Sequence, residues 1–376
     1  MSAARLTWVQ SALAAVVAVG CLGGMALPLS AESAGPGGTG LPDVPALALF
    51  AGLGALSLLR IRRSLPVAAD GLLSVLGGAA LLAALPAVGL AGPGFWLLLL
   101  AAWAAAWLFI ERLIAAEPAG RRNRLGRLVV PLYFGVWILV LWEAVVRGAG
   151  VPFVLLPPPS AIGLRLLTSG AILWADFQQT FLKAVLIGYA LGCGSAFLAA
   201  IAIDRSPFLQ RGLLPLGNFV SALPVIGIAP ILVMWFGFDW PSKAAVVVVM
   251  TFFPMLVNTV AGLAASGAME RDLMRTYAAG YWQTLFKLRL PAAAPFIFNA
   301  LKINSTLAMI GAIVAEFFGT PIVGMGFRIS TEVGRMNIDM VWAEIAVAAV
   351  AGSAFYGIVT LVERAATFWH PSTRSG

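Results

Sequence analysis

The chain has 376 residues, of which 61% are hydrophobic and 11% are charged. Soluble domains carry roughly a quarter of charged residues, so this composition excludes a cytosolic enzyme. The formal net charge of +8 does not indicate a nucleic-acid-binding protein, because the basic residues lie in short connections between apolar blocks. Cys21 and Cys193 lie inside such blocks, and the single histidine, His370, lies in a polar tail. These positions exclude a disulfide framework and a multi-histidine metal site.

Ten blocks are apolar over roughly 20 residues, the length that an α-helix needs to cross a bilayer. The sequence therefore predicts an all-α polytopic membrane protein with about ten transmembrane helices. We interpret the first block as a retained helix and not as a cleaved signal peptide, because Arg5 alone precedes a long apolar run. In chain order, the predicted spans lie near residues 6–29, 44–61, 71–90, 94–116, 128–147, 179–203, 213–237, 243–266, 295–318 and 341–363.

Lys and Arg residues collect after every second predicted span. Basic connections tend to stay in the cytoplasm, so this bias predicts that both termini are cytoplasmic. The connection near residues 30–43 fits the opposite side, because it holds Glu32 and Asp43 and neither Lys nor Arg. The basic positions are Arg60, Arg62, Arg63, Arg112, Arg121, Arg122, Arg124, Arg127, Arg205, Arg211, Arg271, Arg275, Lys287, Arg289, Arg364 and Arg374.

The longest polar and basic stretch between spans covers residues 117–127. It separates four closely spaced predicted spans from six spans with longer loops. We therefore predict a domain boundary here, with a four-helix transmembrane module of unknown role at 1–120 and a six-helix domain at 121–376. We expect the module to pack around the second domain or to recruit another subunit.

Residues 268–294 are too polar to cross the membrane, yet they have the pattern of an amphipathic helix. Pro291 lacks a backbone N–H, so we expect this helix to end at Leu290, before the next span. The pattern alone leaves two interpretations open: a helix that lies among lipid headgroups, or a helix that docks into a groove on a partner protein. The apolar half of the helical wheel holds Tyr277, Ala278, Tyr281, Trp282, Leu285, Phe286 and Leu288.

The same segment resembles the cytoplasmic loop of binding-protein-dependent ABC importer permeases, which reads Glu-Ala-Ala, three residues, Gly, nine residues, Ile-x-Leu-Pro. In this register Asp272 keeps the acid, Ala278 takes the position of the glycine, and Leu290-Pro291 keeps the ending. Gly280 lies two residues after the family's glycine position. The resemblance favours docking on a partner protein, and we call residues 268–294 the coupling segment.

Further blocks are similar to the nitrate, taurine and sulfonate branch of these permeases. The resemblance extends over about 150–365 and is most specific in 215–326. Residues 286–291 and 301–303 look most like permeases for pyrimidine precursors of thiamine or for riboflavin. The matching blocks are Leu156-Pro157-Pro158-Pro159-Ser160, Phe253-Pro254, Asn258-Thr259, Trp282-Gln283, Phe286, Pro295, Ala315-Glu316-Phe317-Phe318-Gly319 and Gly324-Met325-Gly326.

The resemblance implies a six-helix core of the type I importer kind, working with other proteins in a bacterial inner membrane. Two ATPase subunits would bind ATP and magnesium, a binding protein would deliver the solute outside, and a second permease copy would complete the path. The chain has no G-x-x-x-x-G-K-[ST] phosphate-binding loop, which fits hydrolysis on a partner. The residues expected to couple to the ATPase are Asp272, Tyr277, Ala278, Gly280, Tyr281, Trp282, Leu285, Phe286, Leu290 and Pro291.

Charged residues inside spans are candidates for a transport path, because their burial in lipid is costly. Glu316, near the outer end of its span, is a candidate gate or pathway residue, with a solvated helix-end carboxylate as the alternative. Lys302, on the same helix, is a second pathway candidate, and the alternative is a side chain that extends to the inner surface. We expect Glu143 and Glu344, near outer span ends, to be solvated.

Several alternatives stay open on the sequence. The solute is predicted to be small and polar or heterocyclic, and taurine, alkanesulfonate or nitrate-type anions are the alternative cargo. An ion-coupled secondary transporter would need acids near the bilayer midplane in matching halves, and a membrane enzyme would need clustered Asp, Glu or His at one depth; neither pattern is evident. Gly188 and Gly192 form a small-residue pair that is typical of helix packing in lipid.

Overall fold

The structure is a computed structural model, which describes residues 7–31, 51–57, 66–116, 124–206, 208–209, 211–212, 215, 224–319 and 322–368. Across these residues the regular structure is helical, and one isolated β-bridge pairs Ser30 with Ala91. Within these described ranges, eight helices are long and apolar enough to cross a membrane, which confirms the predicted all-α polytopic class. The chain forms two compact units, Met1–Ile162 and Gly163–Gly376.

The described part of the first unit contains four membrane-length helices. The Thr7 hydroxyl caps the first helix by accepting from the Gln10 backbone N–H at 3.3 Å. A fifth, shorter helix begins in this unit and ends in the second. The helices are α1 (Trp8–Ala26), α2 (Val67–Val88), α3 (Pro93–Ala116), α4 (Arg124–Gly148) and α5 (Pro159–Thr168).

Small residues let α1 and α3 approach closely, as helix packing in lipid requires. A Cβ added at Gly24 would lie 2.6 Å from the Leu98 side chain, and one added at Gly20 would lie 2.9 Å from Ala101 Cβ. A buried ion pair between Asp70 on α2 and Arg112 on α3 adds a polar contact within the same unit.

The second unit holds the remaining helices. Two of them are 36 residues long and contain a π-helical turn: Gln178–Val185 in α6 and Leu285–Arg289 in α10. The helices are α6 (Gly170–Arg205), α7 (Val225–Phe236), α8 (Trp240–Ala264), α9 (Ala268–Thr276), α10 (Tyr281–Glu316), α11 (Met325–Gly334) and α12 (Ile338–Ala366).

Eight of the ten predicted spans correspond to the eight membrane-length helices. Of the predicted span at 44–61, residues 51–57 are described and helical, and the rest lies outside the described residues. Of the predicted span at 213–237, the described part contains the 12-residue helix α7. The stretch that was predicted to divide the domains, 117–127, lies largely outside the described residues as well.

The division between the two units falls after Ile162, which is further along the chain than the predicted boundary at residue 120. Helix α4 accounts for the difference, because it packs on α2 and α3 in the first unit. Trp137 of α4 is 3% exposed in a core cluster with Ala102 and Ala105 of α3. The basic stretch therefore precedes the last membrane-length helix of unit 1.

Close packing of α6, α8 and α10 forms the centre of the second unit. A Cβ added at Gly188 would lie 2.7 Å from the Ala244 carbonyl oxygen, and one at Gly192 would lie 2.1 Å from Thr251 Oγ1. The packing role expected of this glycine pair is therefore confirmed. Asn304 of α10 donates to the Thr251 carbonyl at 2.8 Å, which ties α10 to α8 in the buried centre.

Candidate functional site

The coupling segment consists of two helices joined by a tight turn. Helix α9 ends in a Schellman turn, in which the Ala279 N–H donates to the Met274 carbonyl at 3.0 Å and the Ala278 N–H donates to the Arg275 carbonyl at 2.9 Å. Ala278 takes a left-handed φ of 49° in this turn. A non-glycine residue costs about 1 kcal/mol there, because its Cβ crowds the backbone.

This turn explains the glycine of the family pattern. Ala278 occupies the position at which the pattern has glycine, and it is the position that needs a positive φ. Gly280 does not replace it, because its φ of −69° is open to any residue. Instead Gly280 begins α10, and its N–H donates to Gln283 Oε1 at 3.1 Å. The single amphipathic helix expected over this stretch is therefore two helices with a bend at Ala278.

One face of the second helix is anchored to the end of α6. The Arg289 guanidinium makes two hydrogen bonds to the Asp204 carboxylate, at 2.6 and 2.5 Å. The Tyr281 hydroxyl donates to the same carboxylate at 2.9 Å, and Arg289 Nε donates to the Leu263 carbonyl at 3.0 Å. Arg205 lies over the Tyr281 ring, 5.7 Å from its centroid. These contacts fix the start of α10 against α6 and α8.

Apolar contacts strengthen the same anchor. Leu285 is fully buried against Leu263 and Ala293, and Leu290 packs on this cluster. Pro291 is half-buried beside it. Tyr281 and Leu285, two of the expected docking residues, therefore face the body of the second unit.

Beside this anchor lies an exposed aromatic strip, formed by Tyr277 at the end of α9 and by Trp282 and Phe286 on the neighbouring face of the second helix. Their side chains are 76%, 51% and 62% exposed. Trp282 and Phe286 stack with ring centroids 6.0 Å apart. Asp272 is also exposed and pairs with Arg275 at 3.2 Å, a surface ion pair that contributes little stability.

The expectation that the helix ends at Leu290 is wrong. Helix α10 continues through Pro291 because the turn at Leu285–Arg289 is π-helical, and the Leu290 N–H donates to the Leu285 carbonyl. In a regular α-helix, a proline ring clashes with the carbonyl four residues earlier, which here belongs to Lys287. The wider π turn relieves that clash, so the coupling segment is continuous with a membrane-length helix.

At the other end of α10, Glu316 is 2% exposed and hydrogen-bonded through both carboxylate oxygens. Its carboxylate accepts from the Thr180 hydroxyl at 2.8 Å and from the Gly326 N–H at 2.7 Å. The Thr180 oxygen accepts in turn from the Met325 N–H at 2.8 Å. Glu316 is therefore not the solvated helix-end carboxylate of the alternative interpretation, and its gate or pathway role stays a prediction.

Asp176 completes this arrangement, and sequence reasoning missed it. The buried carboxylate accepts from the Gly324 N–H at 2.6 Å and from Arg328 Nε at 2.8 Å. Three consecutive backbone N–H groups, at 324–326, are therefore held by Asp176, Thr180 and Glu316, and we call these three side chains the amide clamp. Its partners lie up to 148 residues apart in the chain, so no local pattern signals it.

Glycines permit this close approach. Gly324 has a φ of 143°, and a Cβ there would lie 2.8 Å from Glu316 Cδ. A Cβ at Gly326 would lie 2.2 Å from the Ile313 carbonyl oxygen. The glycine and Glu316 blocks that resemble the family thus meet in one buried site.

Two further acids differ from expectation. Glu344 is fully buried, and neither of its carboxylate oxygens has a hydrogen-bond partner among the described residues. Glu143 is 8% exposed, pairs with Arg147 at 2.5 Å and accepts from the Ser160 N–H at 2.8 Å. The expectation that both are solvated is wrong, because each lies on the packed face of its helix.

Lys302 forms an ion pair with Glu363 of α12, with Nζ and Oε2 2.8 Å apart. Both side chains are less than one-fifth exposed. Lys302 therefore has a partner within the bundle, and the structure does not bring it together with Glu316, whose own partners are Thr180 and Gly326.

Comparison with known proteins identifies the family. The family described as "Binding-protein-dependent transport system inner membrane component" matches residues 188–368. A probable ABC transporter permease protein of Haemophilus influenzae is 32% identical over 219 residues, which cover 58% of this chain and 89% of that protein. The formylaminopyrimidine transport permease protein ThiX of Halalkalibacterium halodurans is 30% identical, covering 64% and 95%.

The riboflavin transport system permease protein RibX of Chloroflexus aurantiacus is also 30% identical over 238 residues, covering 62% of this chain and 88% of that protein. Since these matches span most of each relative, the chain belongs to the permeases of binding-protein-dependent ABC importers, in the branch that includes taurine and sulfonate permeases.

Proposed function

We propose that this permease moves a small polar heterocyclic solute into the cytoplasm, driven by two separate ATPase subunits that dock on the coupling segment. A binding protein delivers the solute on the outside, and a second permease copy completes the path. The protein lies in the inner membrane of a bacterial cell. The coupling segment and both termini lie on the cytoplasmic side. Family membership leaves no role for the ion-coupled secondary transport considered above.

The exposed aromatic strip supports docking most directly. Trp282 and Phe286 are exposed on a helix that Arg289 and Asp204 hold against α6, and Tyr277 is exposed at the end of α9. Aromatic residues at the centre of an interface carry much of its binding energy. A helix that only rests among headgroups needs no such rigid attachment, whereas a helix that receives force does.

The anchor also supports a mechanical route. Helix α10 is 36 residues long, which is about 54 Å at 1.5 Å per residue. A displacement at Trp282 passes along α10 without a flexible joint, because the helix is continuous through Pro291. The Arg289–Asp204 pair carries the same displacement to α6. Closure of the ATPase subunits would thus move two membrane-length helices together.

Co-purification tests the docking proposal. Replacing Trp282 and Phe286 together by alanine is expected to weaken ATPase binding by roughly 2–4 kcal/mol, so that ATPase subunits no longer co-purify. Trp174→Ala is the matched control. Trp174 is also an exposed tryptophan, at 56%, but it lies on α6 and outside the coupling segment. Unchanged co-purification and uptake in the double variant would contradict docking.

The solute assignment follows the resemblance to pyrimidine-precursor and riboflavin permeases, and the relatives named for such solutes support it. Taurine, alkanesulfonate or nitrate-type anions are the second candidate, since the branch also includes sulfonate permeases. Identifying the compound that the cognate binding protein captures separates the two. A ring compound is expected, and capture of a sulfonate would contradict the assignment.

We also propose that residues 1–120 form an accessory module. Deleting them would leave the full transport function if this is correct. The deletion would also remove the helices that cover Trp137 of α4, which would then be exposed. A second variant should therefore extend the deletion through Gly148, so that α4 is removed as well. Loss of assembly in both variants would contradict an accessory role.

A further inference from the structure

A groove between α10, α11 and α12 has features that neither packing nor coupling explains. It has a volume of about 580 Å³, within the range of small-molecule sites. Most of its lining is aliphatic, as at Ile310 and Ile313. Three exposed side chains in the lining carry hydroxyl groups: Thr306, Ser353 and Tyr356.

These hydroxyls lie near the middle of the membrane-length helices. Ser353 is about 15 residues from Ile338 and about 13 from Ala366, the two ends of α12. Thr306 is about 10 residues, or about 15 Å, from Glu316 at the end of α10. At this depth the short side chains of Thr306 and Ser353 cannot carry their hydroxyl groups to the headgroups.

None of the three hydroxyls has a hydrogen-bond partner among the residues that the structure describes. Lipid chains offer no partner either, so a lipid-facing position would leave three polar groups unsatisfied. An aqueous passage satisfies them, and so does a polar solute.

The opposite side of α12 gives the contrast. A second groove, of about 500 Å³, lies between α6 and α12 and has an aliphatic and aromatic lining that includes Trp174, Val350 and Ala354. Its surface is suited to lipid. Two faces of one helix, at one depth, therefore differ in the presence of hydroxyl groups.

The hydroxyl-bearing groove also lacks charge. Among the described residues that line it there is no Asp, Glu, Lys or Arg, and the Lys302–Glu363 pair on the same two helices is neutral as a whole. The Tyr356 ring is 45% exposed and offers a flat surface for stacking. An anion would find no counter-charge here, whereas an uncharged ring with polar substituents would find both stacking and hydrogen-bond partners.

We propose that this groove is the chain's own wall of the solute passage, and that it accepts an uncharged, planar heterocycle, with Tyr356 stacking on the ring and Thr306 and Ser353 bonding its polar edge. This inference rests on the proposed import function and adds the site and the solute class. The second permease copy supplies the facing wall.

Thiol labelling of the assembled transporter in liposomes tests the passage. Ser353→Cys and Ala354→Cys differ by one position at one depth and lie in opposite grooves. A charged, water-soluble methanethiosulfonate reagent is expected to label Ser353→Cys at least about tenfold faster, because thiols react as thiolates in water. Cys21 and Cys193 are buried, so the wild-type chain gives the unreactive baseline.

Equally slow labelling of both variants would overturn the passage, because it would mean that the hydroxyl groove is also covered by lipid. A disulfide between Ser353→Cys residues of two copies, without labelling, would overturn it as well, since the groove would then be closed by direct packing. Slower labelling of Ser353→Cys in the presence of riboflavin or an aminopyrimidine would support solute binding.

Uptake with the cognate binding protein tests the solute class. Tyr356→Leu is expected to lower uptake of the ring compound about tenfold, whereas Tyr356→Phe keeps the ring and lowers it less. A wild-type transporter that imports taurine and neither ring compound would overturn the class. ATPase co-purification is measured on the same samples, so failure of this site remains distinguishable from failure of docking.

Discussion

The two ends of α10 use their polar and aromatic groups in opposite ways. At the coupling segment, one acid, Asp204, holds the helix, and the aromatic strip faces outward. At the Glu316 end, the polar groups turn inward and hold three backbone N–H groups of a buried turn. One helix therefore ends in a surface that is ready for a partner and in a turn that is complete within the chain.

This difference separates a surface that binds a partner protein from a turn that is stabilised within the chain. In the amide clamp each carboxylate oxygen of Glu316 accepts a hydrogen bond from within the chain, so the clamp stabilises a buried turn. The aromatic strip leaves three large rings exposed, and the neighbouring Arg289–Asp204 anchor holds the helix that carries two of them. Substitutions at the clamp should change folding, and substitutions at the strip should change assembly.

The largest effect is expected at Gly326. Gly326→Ala places a Cβ against the Ile313 carbonyl oxygen and Glu316, and should cost about 3 kcal/mol or more in the free energy of unfolding. Gly334→Ala is the matched control in the same helix, because a Cβ there meets nothing within 4 Å. Thermal unfolding of the purified protein measures both, and equal stability of the two variants would argue against the clamp.

The anchor should give the next largest effect. Asp204→Ala leaves the Arg289 guanidinium partly buried without its partner and should cost about 2–3 kcal/mol. Asp272→Ala removes an exposed pair and should cost less than about 0.5 kcal/mol.

A double-mutant cycle sharpens this test. If the two side chains act together, Asp204→Ala with Arg289→Ala should cost less than the sum of the single changes. Additive losses would mean that the pair does not hold α10 to α6.

Ala278→Gly should stabilise the coupling segment by about 1 kcal/mol, because glycine takes the left-handed φ without crowding. Ala279→Gly is the neighbouring control, and it should be neutral or destabilising. Hydrogen exchange of the 268–294 backbone measures the change locally. Faster exchange in Ala278→Gly would contradict the bend described here.

The smallest effect concerns Asp239, just before α8. The Trp240 backbone N–H donates to its carboxylate at 2.7 Å and the Gln179 amide donates at 2.8 Å, which lowers the pKa of Asp239. A lowered pKa in the folded state gives stability that is present above the ordinary value near 4 and is lost as pH falls through the lowered one. Asp239→Asn should therefore flatten the acid limb of stability against pH, and an unchanged acid limb would exclude this contribution.

Much of the architecture was predictable because it depends on local composition. Apolar blocks of bilayer length gave the helices, and Asp272 with Leu290-Pro291 located the coupling segment. The direction in which the segment faces was not predictable. A helical wheel places Tyr281 and Leu285 beside Trp282, but only the position of Asp204 on α6 decides which rings are anchored and which are exposed.

Other features could not be predicted from the sequence, because the residues that cause them lie far apart in the chain. Asp176 is bonded to the turn before α11 and to Arg328 of α11, which no local pattern indicates. Glu344 lies near a span end and was expected to be solvated, yet it is fully buried. The continuity of α10 depends on a π turn before Pro291, and no residue pattern in the sequence predicts this turn.

Crosslinking from the aromatic strip tests docking most directly. A bifunctional thiol reagent attached to Trp282→Cys in the assembled transporter is expected to join the permease to an ATPase subunit, and the same reagent on Trp174→Cys is expected to give no such product. Products with lipid alone at Trp282→Cys, in particles that contain ATPase subunits, would contradict docking by this segment.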